Sequence, residues 1–318
     1  MKIAFLFPGQ GAQFPGMAKD LYEHSAAVRD LFGEASEAAH IDMAALLFDG
    51  SEDDLKQTDN TQIAITVANL AARQVLAEFG IRSDLSAGFS LGEYASLVDA
   101  GVISVADAIH LTLNRGRIME EVSRTLDADD ERAGMAAAMG LDLPRIEEIL
   151  AEAEVADAFP SLYNSPVQTV VGGTPRGLRD AADALKEGGV RRMRRLQVSG
   201  PFHTPLMTPA RERFAEIIAG VTFGDPDHPI YSNVTGGVVG SGEEARGLCL
   251  DQLVQTVRWT TEERTLLADG AELLLEVGPG SVLQGLWKAV GKVDDEWPVD
   301  RVRTAGTLEE IEAVAKEM

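Results

Sequence analysis

The chain has 318 residues, of which 45% are apolar, and a formal net charge of −23. This length suits one large globular domain, or a large domain that carries a smaller one, and the apolar fraction excludes a disordered chain. The acidic balance argues against binding to nucleic acid or to an anionic membrane surface, because both need a basic face.

The first predicted element is a strand within residues 1–8. Its apolar run is too short for the core of a secretory signal, and no small-residue cleavage site follows it. No run of about 18 apolar residues is present to span a membrane. The single cysteine, Cys249, excludes an intrachain disulfide framework and fits a reducing compartment. We therefore expect a cytoplasmic protein.

Strands and helices alternate through the first 125 residues. The pattern predicts helical structure up to about residue 38, a long helix over 62–79, a short buried strand over 85–89 and a helix over 92–100. A further helix over 104–125 opens with Ser104 as its N-cap and Asp107 three residues later.

A charged run at residues 127–131 predicts an exposed crossing into a different arrangement. The order that follows is strand, helix, strand, strand, helix, strand, which is the ferredoxin-like βαββαβ pattern. The predicted strands and helices of this insert are, in chain order, 134–140, 143–153, 158–164, 167–172, 175–187 and 190–198.

After the insert, the pattern predicts a helix over 204–218, a strand over 230–233, a helix within 262–268 and a strand over 272–277. Alternating strands and helices favour a mostly parallel sheet covered on both faces. The predicted class is therefore α/β. A large α/β-hydrolase-like domain (1–126 and 199–318) would carry a small inserted ferredoxin-like subdomain (127–198).

Several kinds of site are not indicated by the sequence. The five histidines show none of the spacings typical of metal ligands. The glycine runs lack the Gly-Lys-Ser/Thr of a phosphate-binding loop, and "GQG" (9–11) lacks the third glycine of a dinucleotide fingerprint. We therefore expect no metal and no cofactor, and nucleophilic catalysis remains to be considered.

The segment "GFSLG" (88–92) matches G-x-S-x-G between a predicted strand and a predicted helix. This is the context of a nucleophile elbow, in which Ser90 would stand at a helix N-terminus that favours developing negative charge. The alternative is a structural serine in a turn. The strand and helix on either side favour the nucleophile.

A serine nucleophile needs a base, and His203 is the best candidate in the chain. It lies in "SGPFHTP" (199–205) between a predicted strand and a predicted helix, in a loop of the kind that often carries functional residues. Arg115 lies on the helix after the elbow helix. Its spacing leaves two interpretations open, a surface arginine or a guanidinium that binds a substrate carboxylate in the pocket.

A local basic cluster could bind an acidic partner despite the overall charge. The alternative is a strand edge with solvated arginines, and the sequence does not separate the two. The cluster consists of Arg191, Arg192, Arg194 and Arg195.

Nine motifs together resemble the malonyl-CoA:acyl carrier protein transacylase family, which includes acyltransferases of polyketide synthases. The resemblance covers nearly the whole chain, and the inserted ferredoxin-like piece lies where this family carries one. The motifs are "FPGQGAQFPGM" (7–17), "LKQTDNTQIAI" (55–65), "AGFSLGEYASLVDAGVIS" (87–104), "NRGRIME" (114–120), "GMAAAMGL" (134–141), "YNSPVQTVVGG" (163–173), "VSGPFHTPLM" (198–207), "VRW" (257–259) and "EVGPGSVLQGL" (276–286).

The resemblance implies a ping-pong transfer of a malonyl group. Ser90 would attack the thioester of malonyl-CoA, and the phosphopantetheine thiol of acyl carrier protein would then take the malonyl group from the serine. His203 would move a proton in each half-reaction. A backbone carbonyl near "VRW" would orient the histidine, so a serine–histidine dyad is expected.

The resemblance also implies the binding residues. Arg115 would pair with the malonyl carboxylate, and the backbone N–H groups of Gln10 and Leu91 would form the oxyanion hole. Gln62 and Asn164 match polar positions beside the pocket. The implied partners are malonyl-CoA and acyl carrier protein, with the four arginines as a basic contact for the latter.

The same resemblance implies selectivity. A buried arginine left unpaired by an acetyl group would disfavour that substrate by up to about 10⁴-fold. Phe202, just before the histidine, resembles the malonyl-preferring form of the site and would leave little room for the branch of methylmalonyl.

Three positions depart from the family pattern. Phe89 stands where the family usually has histidine, so local hydrogen bonding must differ. Arg258 stands where glutamine is common and would bring a second arginine near the pocket. Ile63 replaces a proline, which we interpret as neutral for packing.

Other functions are compatible with parts of this pattern. A transferase of a polyketide pathway with another acyl-CoA donor would share the same residues, because the carrier protein defines the pathway. An editing hydrolase would release the acyl group from Ser90 to water. A non-catalytic carrier-protein docking module would not need Ser90, His203 and Arg115 together.

Overall fold

The computed structural model describes residues 1–128 and 131–318, which form two sheets and the helices around them. The strands are β1 (Ile3–Phe7), β2 (Leu85–Gly88), β3 (Gly134–Met139), β4 (Ala158–Ser165), β5 (Gln168–Gly173), β6 (Arg192–Arg195), β7 (Leu273–Glu276) and β8 (Val302–Thr304). The α-helices are α1 (Lys19–His24), α2 (Ala26–Ala39), α3 (Met43–Asp49), α4 (Glu52–Lys56), α5 (Thr58–Glu78), α6 (Gly92–Asp99), α7 (Val105–Arg124), α8 (Leu143–Glu152), α9 (Pro175–Glu187), α10 (Thr208–Ile218), α11 (Gly242–Asp251), α12 (Trp259–Ala268), α13 (Val282–Val290) and α14 (Leu308–Glu317).

The larger sheet is parallel, with strand order β2-β1-β7-β8. One of its two inner strands, β1, reads "IAFLF", and all five residues are buried, as expected for a parallel strand covered on both faces. Helix α6 leaves β2 directly, and α7 begins at the capping box that Ser104 and Asp107 form. The prediction of a parallel α/β sheet is confirmed.

The smaller sheet is antiparallel, with strand order β4-β5-β3-β6. This order and the βαββαβ sequence of elements give the ferredoxin-like arrangement that the sequence predicts. Alternate residues of β3 divide between the two faces. Ala136 and Ala138 pack with α8 and α9, whereas Met135 and Ala137 belong to the core of the larger body.

The two sheets are joined through an edge strand. Val257, in the segment before α12, pairs with β4: its N–H donates to the Ser161 carbonyl at 2.9 Å, and its own carbonyl accepts from the Tyr163 N–H at 2.8 Å. Leu162 between them is buried in the larger core. The small sheet is therefore packed against the larger body and shares its core.

Some predicted elements differ in the structure. The predicted strand over 230–233 is wrong, because Ile230 and Tyr231 make only single bridges, to Ser86 and Val238, before the chain turns away. The predicted helix over 204–218 begins as a 3₁₀ turn, Pro205–Met207, and continues as α10. The elements that sequence analysis did not predict are α3, α4, α11, α13, β8 and α14.

Two residues of the charged run predicted to be an exposed crossing, Asp129 and Asp130, lie outside the described residues. The flanking Ala128 and Glu131 are exposed and bridge each other, in agreement with the prediction. Among the described residues, no helix combines the length and the apolar character needed to cross a membrane.

Candidate active site

Ser90 lies at a sharp turn between β2 and α6. Its φ of 51° is in the left-handed region, which non-glycine residues rarely adopt and which often marks functional sites. Gly92 permits this turn, because a Cβ at that position would lie 2.0 Å from the Phe7 carbonyl oxygen of the neighbouring strand. The turn has the form of a nucleophile elbow, and it places the serine side chain at the N-terminus of α6.

His203 lies opposite the serine in the loop between β6 and the 3₁₀ turn. Its Nε2 is 2.7 Å from Ser90 Oγ, and its Nδ1 is 2.6 Å from the main-chain oxygen of Gln252. A carbonyl oxygen only accepts, so Nδ1 carries the hydrogen and Nε2 is free to accept the serine proton. This arrangement supports a base on the serine without an acidic third residue.

The carbonyl that holds His203 belongs to Gln252, five residues before "VRW", and Gln252 is almost completely buried. The side chain of Gln252 also holds two other groups of the site. The side-chain Oε1 accepts a hydrogen bond from Arg115 Nη2 at 3.0 Å, and Nε2 donates to the Ser90 carbonyl at 3.0 Å. One residue therefore contacts the serine, the histidine and the arginine.

Arg115 is buried on α7, with 1% of its surface exposed. This excludes the interpretation as a surface arginine. Its Nη1 donates to Gln62 Oε1 at 2.8 Å, and its Nη2 lies 3.4 Å from Ser90 Oγ. The groups that hold the guanidinium in the described part of the chain are neutral, and its Nε has no partner there. A buried cation without a direct anion favours an anionic ligand.

These side chains surround one cleft between the two sheets. Its polar lining residues are Ser90, His203, Arg115, Gln10 and Gln62, and the remaining lining is apolar. Its lining residues are Gln10, Gln62, Phe89, Ser90, Leu91, Arg115, Met119, Met135, Leu162, Leu196, Val198, Phe202 and His203.

Gln10 and Leu91, the predicted oxyanion donors, both line this cleft. Neither backbone N–H donates a hydrogen bond to another group within residues 1–128 and 131–318. Gly9 lets the first loop lie against the elbow, since a Cβ there would lie 2.3 Å from the Phe89 carbonyl oxygen. The arrangement leaves two N–H groups free beside the serine.

Two residues singled out by the sequence do not line the cleft. Asn164 is buried on β4 at an irregularity in its pairing with β5, and its Oδ1 has no partner among the described residues. Arg258 is exposed, so it does not bring a second arginine into the pocket.

Phe89, which stands where the family usually has histidine, packs edge-on against Trp259, with 5.4 Å between the ring centroids. This aromatic contact replaces the polar contacts expected of a histidine.

Burial sets the protonation of the site. It lowers the pKa of His203 from 6.5 to about 3, with a further decrease from the nearby Arg115 charge, against which the Gln252 carbonyl acts. Burial also raises the pKa of Glu93, behind the elbow, from 4.5 to about 7. His203 is therefore neutral at physiological pH, as a general base must be.

Sequence reasoning missed two residues that hold this geometry, Asn233 and Gln252, and a buried carboxyl group, Glu93, that contacts one of them. Asn233 accepts from the Ser90 N–H at 2.6 Å and donates to the Gly88 carbonyl at 2.7 Å, so it braces the elbow. Gln252 and Glu93 lie behind the serine. Of these residues, only Glu93 is unusual in the sequence itself, because it is an acidic residue near the start of α6, a helix that is otherwise mostly apolar there.

Residues 4–310 match the family model described as acyl transferase domain. The chain belongs to this family. A relative in Bacillus subtilis (strain 168), named malonyl CoA-acyl carrier protein transacylase, is 38% identical over 293 residues, which are 92% of this chain and 91% of the relative. The resemblance noted in the sequence is thereby confirmed for the family.

Solved structures of acyl transferases have the same fold. The crystal structure of MCAT from Streptococcus pneumoniae has a TM-score of 0.90 and 34% identity, and the match covers 100% of both chains. A malonyl-transacylase in complex with its type II PKS acyl-carrier protein has the same TM-score and identity and the same full coverage. The two-sheet architecture is therefore that of malonyl-transacylases.

Proposed function

We propose that this enzyme transfers a malonyl group from malonyl-CoA to the phosphopantetheine thiol of acyl carrier protein, through a malonyl ester of Ser90. The observation that carries the proposal is the convergence of Ser90, His203 and a buried, anion-free Arg115 on one cleft. The relatives named malonyl CoA-acyl carrier protein transacylase support it.

In the first half-reaction, Ser90 Oγ attacks the thioester carbon while His203 Nε2 takes the serine proton. The oxyanion lies between the N–H groups of Gln10 and Leu91. When the carbon–sulfur bond breaks, His203 returns the proton to the departing CoA sulfur. The malonyl–serine ester remains, with its carboxylate on Arg115.

The second half-reaction reverses these steps with a different thiol. The phosphopantetheine thiol gives its proton to His203 and attacks the ester carbon. The Ser90 oxygen then leaves and takes the proton back from the histidine, which regenerates the free enzyme. Because the acyl group waits on the serine between two thiols, the kinetics are ping-pong.

Intact-mass analysis of protein incubated with malonyl-CoA or acetyl-CoA tests this proposal. We expect a malonyl adduct and little acetyl adduct on the wild type, and no adduct on Ser90→Ala. Ser96→Ala is the matched control, because Ser96 is buried on the elbow helix outside the cleft and should leave the malonyl adduct intact. An adduct that discharges to water without carrier protein would favour the editing hydrolase, and no adduct from malonyl-CoA would refute the proposal.

Phe202 supports selectivity against a branched malonyl group. Its ring is buried in the lining of the cleft beside His203, where an α-methyl group would need space. We expect methylmalonyl-CoA to be a poor donor for the wild type and a better one for Phe202→Ala. Equal acylation rates of the wild type with the two esters would remove this assignment.

The arginine cluster is divided between two faces of the small sheet. Arg194 pairs with Ala137, which faces the larger body, whereas Arg195 pairs with Ala136 on the opposite face. We propose Arg194, with Arg192 on the same face, as the contact for the carrier protein or its phosphate group. Arg194→Glu should raise the KM for carrier protein, and Arg191→Glu, outside the strand, should raise it less.

Two further assignments complete the proposal. The small subdomain consists of residues 127–198 and the large one of residues 1–126 and 199–318, which is supported by the position of β3 to β6 in the chain. The protein is cytoplasmic, which fits its single cysteine and thiol-based substrates. The carrier protein, whether of fatty acid or polyketide synthesis, defines the pathway.

A further inference from the structure

Glu93 is a buried carboxyl group that takes no part in the steps of the proposed malonyl transfer. It is the second residue of α6, and 5% of its surface is exposed. Its carboxylate accepts a hydrogen bond from Gln252 Nε2. A buried carboxyl group is unfavourable unless it is paired, so its presence three residues after the serine calls for a function.

The contact with Glu93 fixes the orientation of the Gln252 amide. A glutamine side chain has one end that donates and one that accepts. The Glu93 carboxylate and the Ser90 carbonyl both accept from Nε2, which leaves Oε1 for the Arg115 guanidinium. With the amide reversed, two N–H donors would face Arg115, which can only donate.

Glu93 is also the carboxylate nearest to Arg115 in this chain of contacts. Arg115 is held by the neutral Gln62, Ser90 and Gln252, so the negative charge closest to it through these contacts lies behind Gln252. The polar and titratable groups that act on Glu93 from the elements packed against it are Arg115 on α7, Cys249 on α11, Gln252, Glu262 on α12, Ser232, Asn233, and Tyr94 on α6 itself.

We propose that Glu93 is a positioning residue that holds Arg115 and His203 through Gln252, and that it takes up a proton when the malonyl carboxylate pairs with Arg115. This inference rests on the proposed malonyl transfer. With Glu93 ionised, the buried group of Arg115 and Glu93 is neutral overall, and a malonyl carboxylate would add an uncompensated charge. With Glu93 protonated, the guanidinium is free to pair with the substrate.

The environment of Glu93 allows this exchange near neutral pH. Burial raises its pKa to about 7, and the hydrogen bonds and the Arg115 charge keep the pKa from rising further. Pairing of Arg115 with a substrate carboxylate removes part of that opposing effect, so the proton is bound more tightly in the complex. By linkage, malonyl-CoA binds more tightly at low pH than at high pH.

Calorimetric titration of the Ser90→Ala enzyme, which cannot be acylated, tests this inference. We expect the Kd for malonyl-CoA to rise by at least about fivefold between pH 6 and pH 8.5, a coupling of ordinary size. Titrations at pH 7 in buffers of different ionisation enthalpy should show uptake of a fraction of a proton. Acetyl-CoA, which has the same CoA phosphates and no carboxylate, should show neither effect after the same analysis.

Glu93→Gln in this background should abolish both the pH dependence and the proton uptake, because the amide cannot titrate. Glu263→Gln is the matched control, since Glu263 is equally buried and contacts neither Gln252 nor Arg115; both effects should persist. In the otherwise wild-type enzyme, Glu93→Ala should slow malonylation at least tenfold, and Glu93→Gln, which keeps an acceptor for Gln252, should largely restore it.

The outcomes separate this inference from the proposed function. Malonyl-CoA binding that is tighter than acetyl-CoA binding, but independent of pH, would overturn the role of Glu93 and leave malonyl transfer intact. Equal affinity for the two esters would overturn both. If Glu93→Gln does not fold, a lack of proton uptake by the Ser90→Ala enzyme alone overturns the inference.

Discussion

The low pKa of His203 predicts an unusual pH profile for acylation. An unperturbed histidine of pKa 6.5 would be about 90% protonated at pH 5.5, and the rate constant of malonylation would fall about tenfold between pH 8 and pH 5.5. His203 is buried, and its pKa is lowered to about 3, so under 1% is protonated at pH 5.5. At saturating malonyl-CoA the Arg115 charge is paired, but burial, the larger cause, remains.

We therefore expect the rate constant to stay within about twofold between pH 8 and pH 5.5. Rapid-quench mixing with saturating malonyl-CoA, followed by intact-mass analysis, measures this step without a contribution from Kd. The protein should be checked for folding at each pH by circular dichroism. A loss of rate with a midpoint between pH 6 and pH 7 would refute the argument that burial keeps this histidine neutral.

Three more predictions concern charge and packing. Arg115→Ala should lower kcat/KM for malonyl-CoA by about 10²–10³-fold and lower it much less for acetyl-CoA, because a buried ion pair is lost only with the former; steady-state kinetics with both esters checks this. Gly92→Ala should destabilise the fold by about 3 kcal/mol or more, measured by urea unfolding, because its Cβ overlaps the Phe7 carbonyl. The free energy of unfolding, measured in the same way, should fall as the pH rises from about 5 to about 7, by up to about 1.4 kcal/mol per pH unit per group, because Glu93 and Glu276, whose pKa is raised from 4.5 to about 7, keep in the folded state protons that the unfolded chain has already lost.

The elbow was predictable because its information is local. "GFSLG" follows a buried apolar strand and precedes a helix, and both glycines are within two residues of the serine. The capping box of Ser104 and Asp107 is local in the same way, and it is present in the structure. Signals of this kind depend on a few neighbouring residues, so the sequence displays them directly.

The residues that position the site were not predictable in this way. Gln252 lies 162 residues after Ser90 in the chain, and Asn233 lies 143 residues after it. Their side chains have no spacing relation to the elbow, because tertiary contacts alone bring them together. The segment containing Asn233 was wrongly predicted as a strand, since its apolar start resembles one, whereas its residues form single bridges.

The location of the basic cluster on a strand also limited what the sequence could predict about it, because side chains alternate between the two faces of a strand. In sequence, the four arginines form one group, but neighbouring residues of β6 point to opposite faces of the sheet. Arg195 donates to the Arg132 carbonyl on one face, and Arg194 lies on the other. The sequence therefore showed that this segment is positively charged, but it did not show to which face of the sheet each arginine side chain points.

The pairing of Val257 with β4 bears on how the insert could be reused by evolution or by protein engineering. An excised insert would lose the backbone partner of its edge strand and would expose Met135, Leu162 and Val170, which are shared with the larger core. Exposed apolar edges of this kind promote aggregation. We therefore expect the insert to fold poorly when it is moved on its own. Chimeras between family members should exchange it together with the Val257 segment.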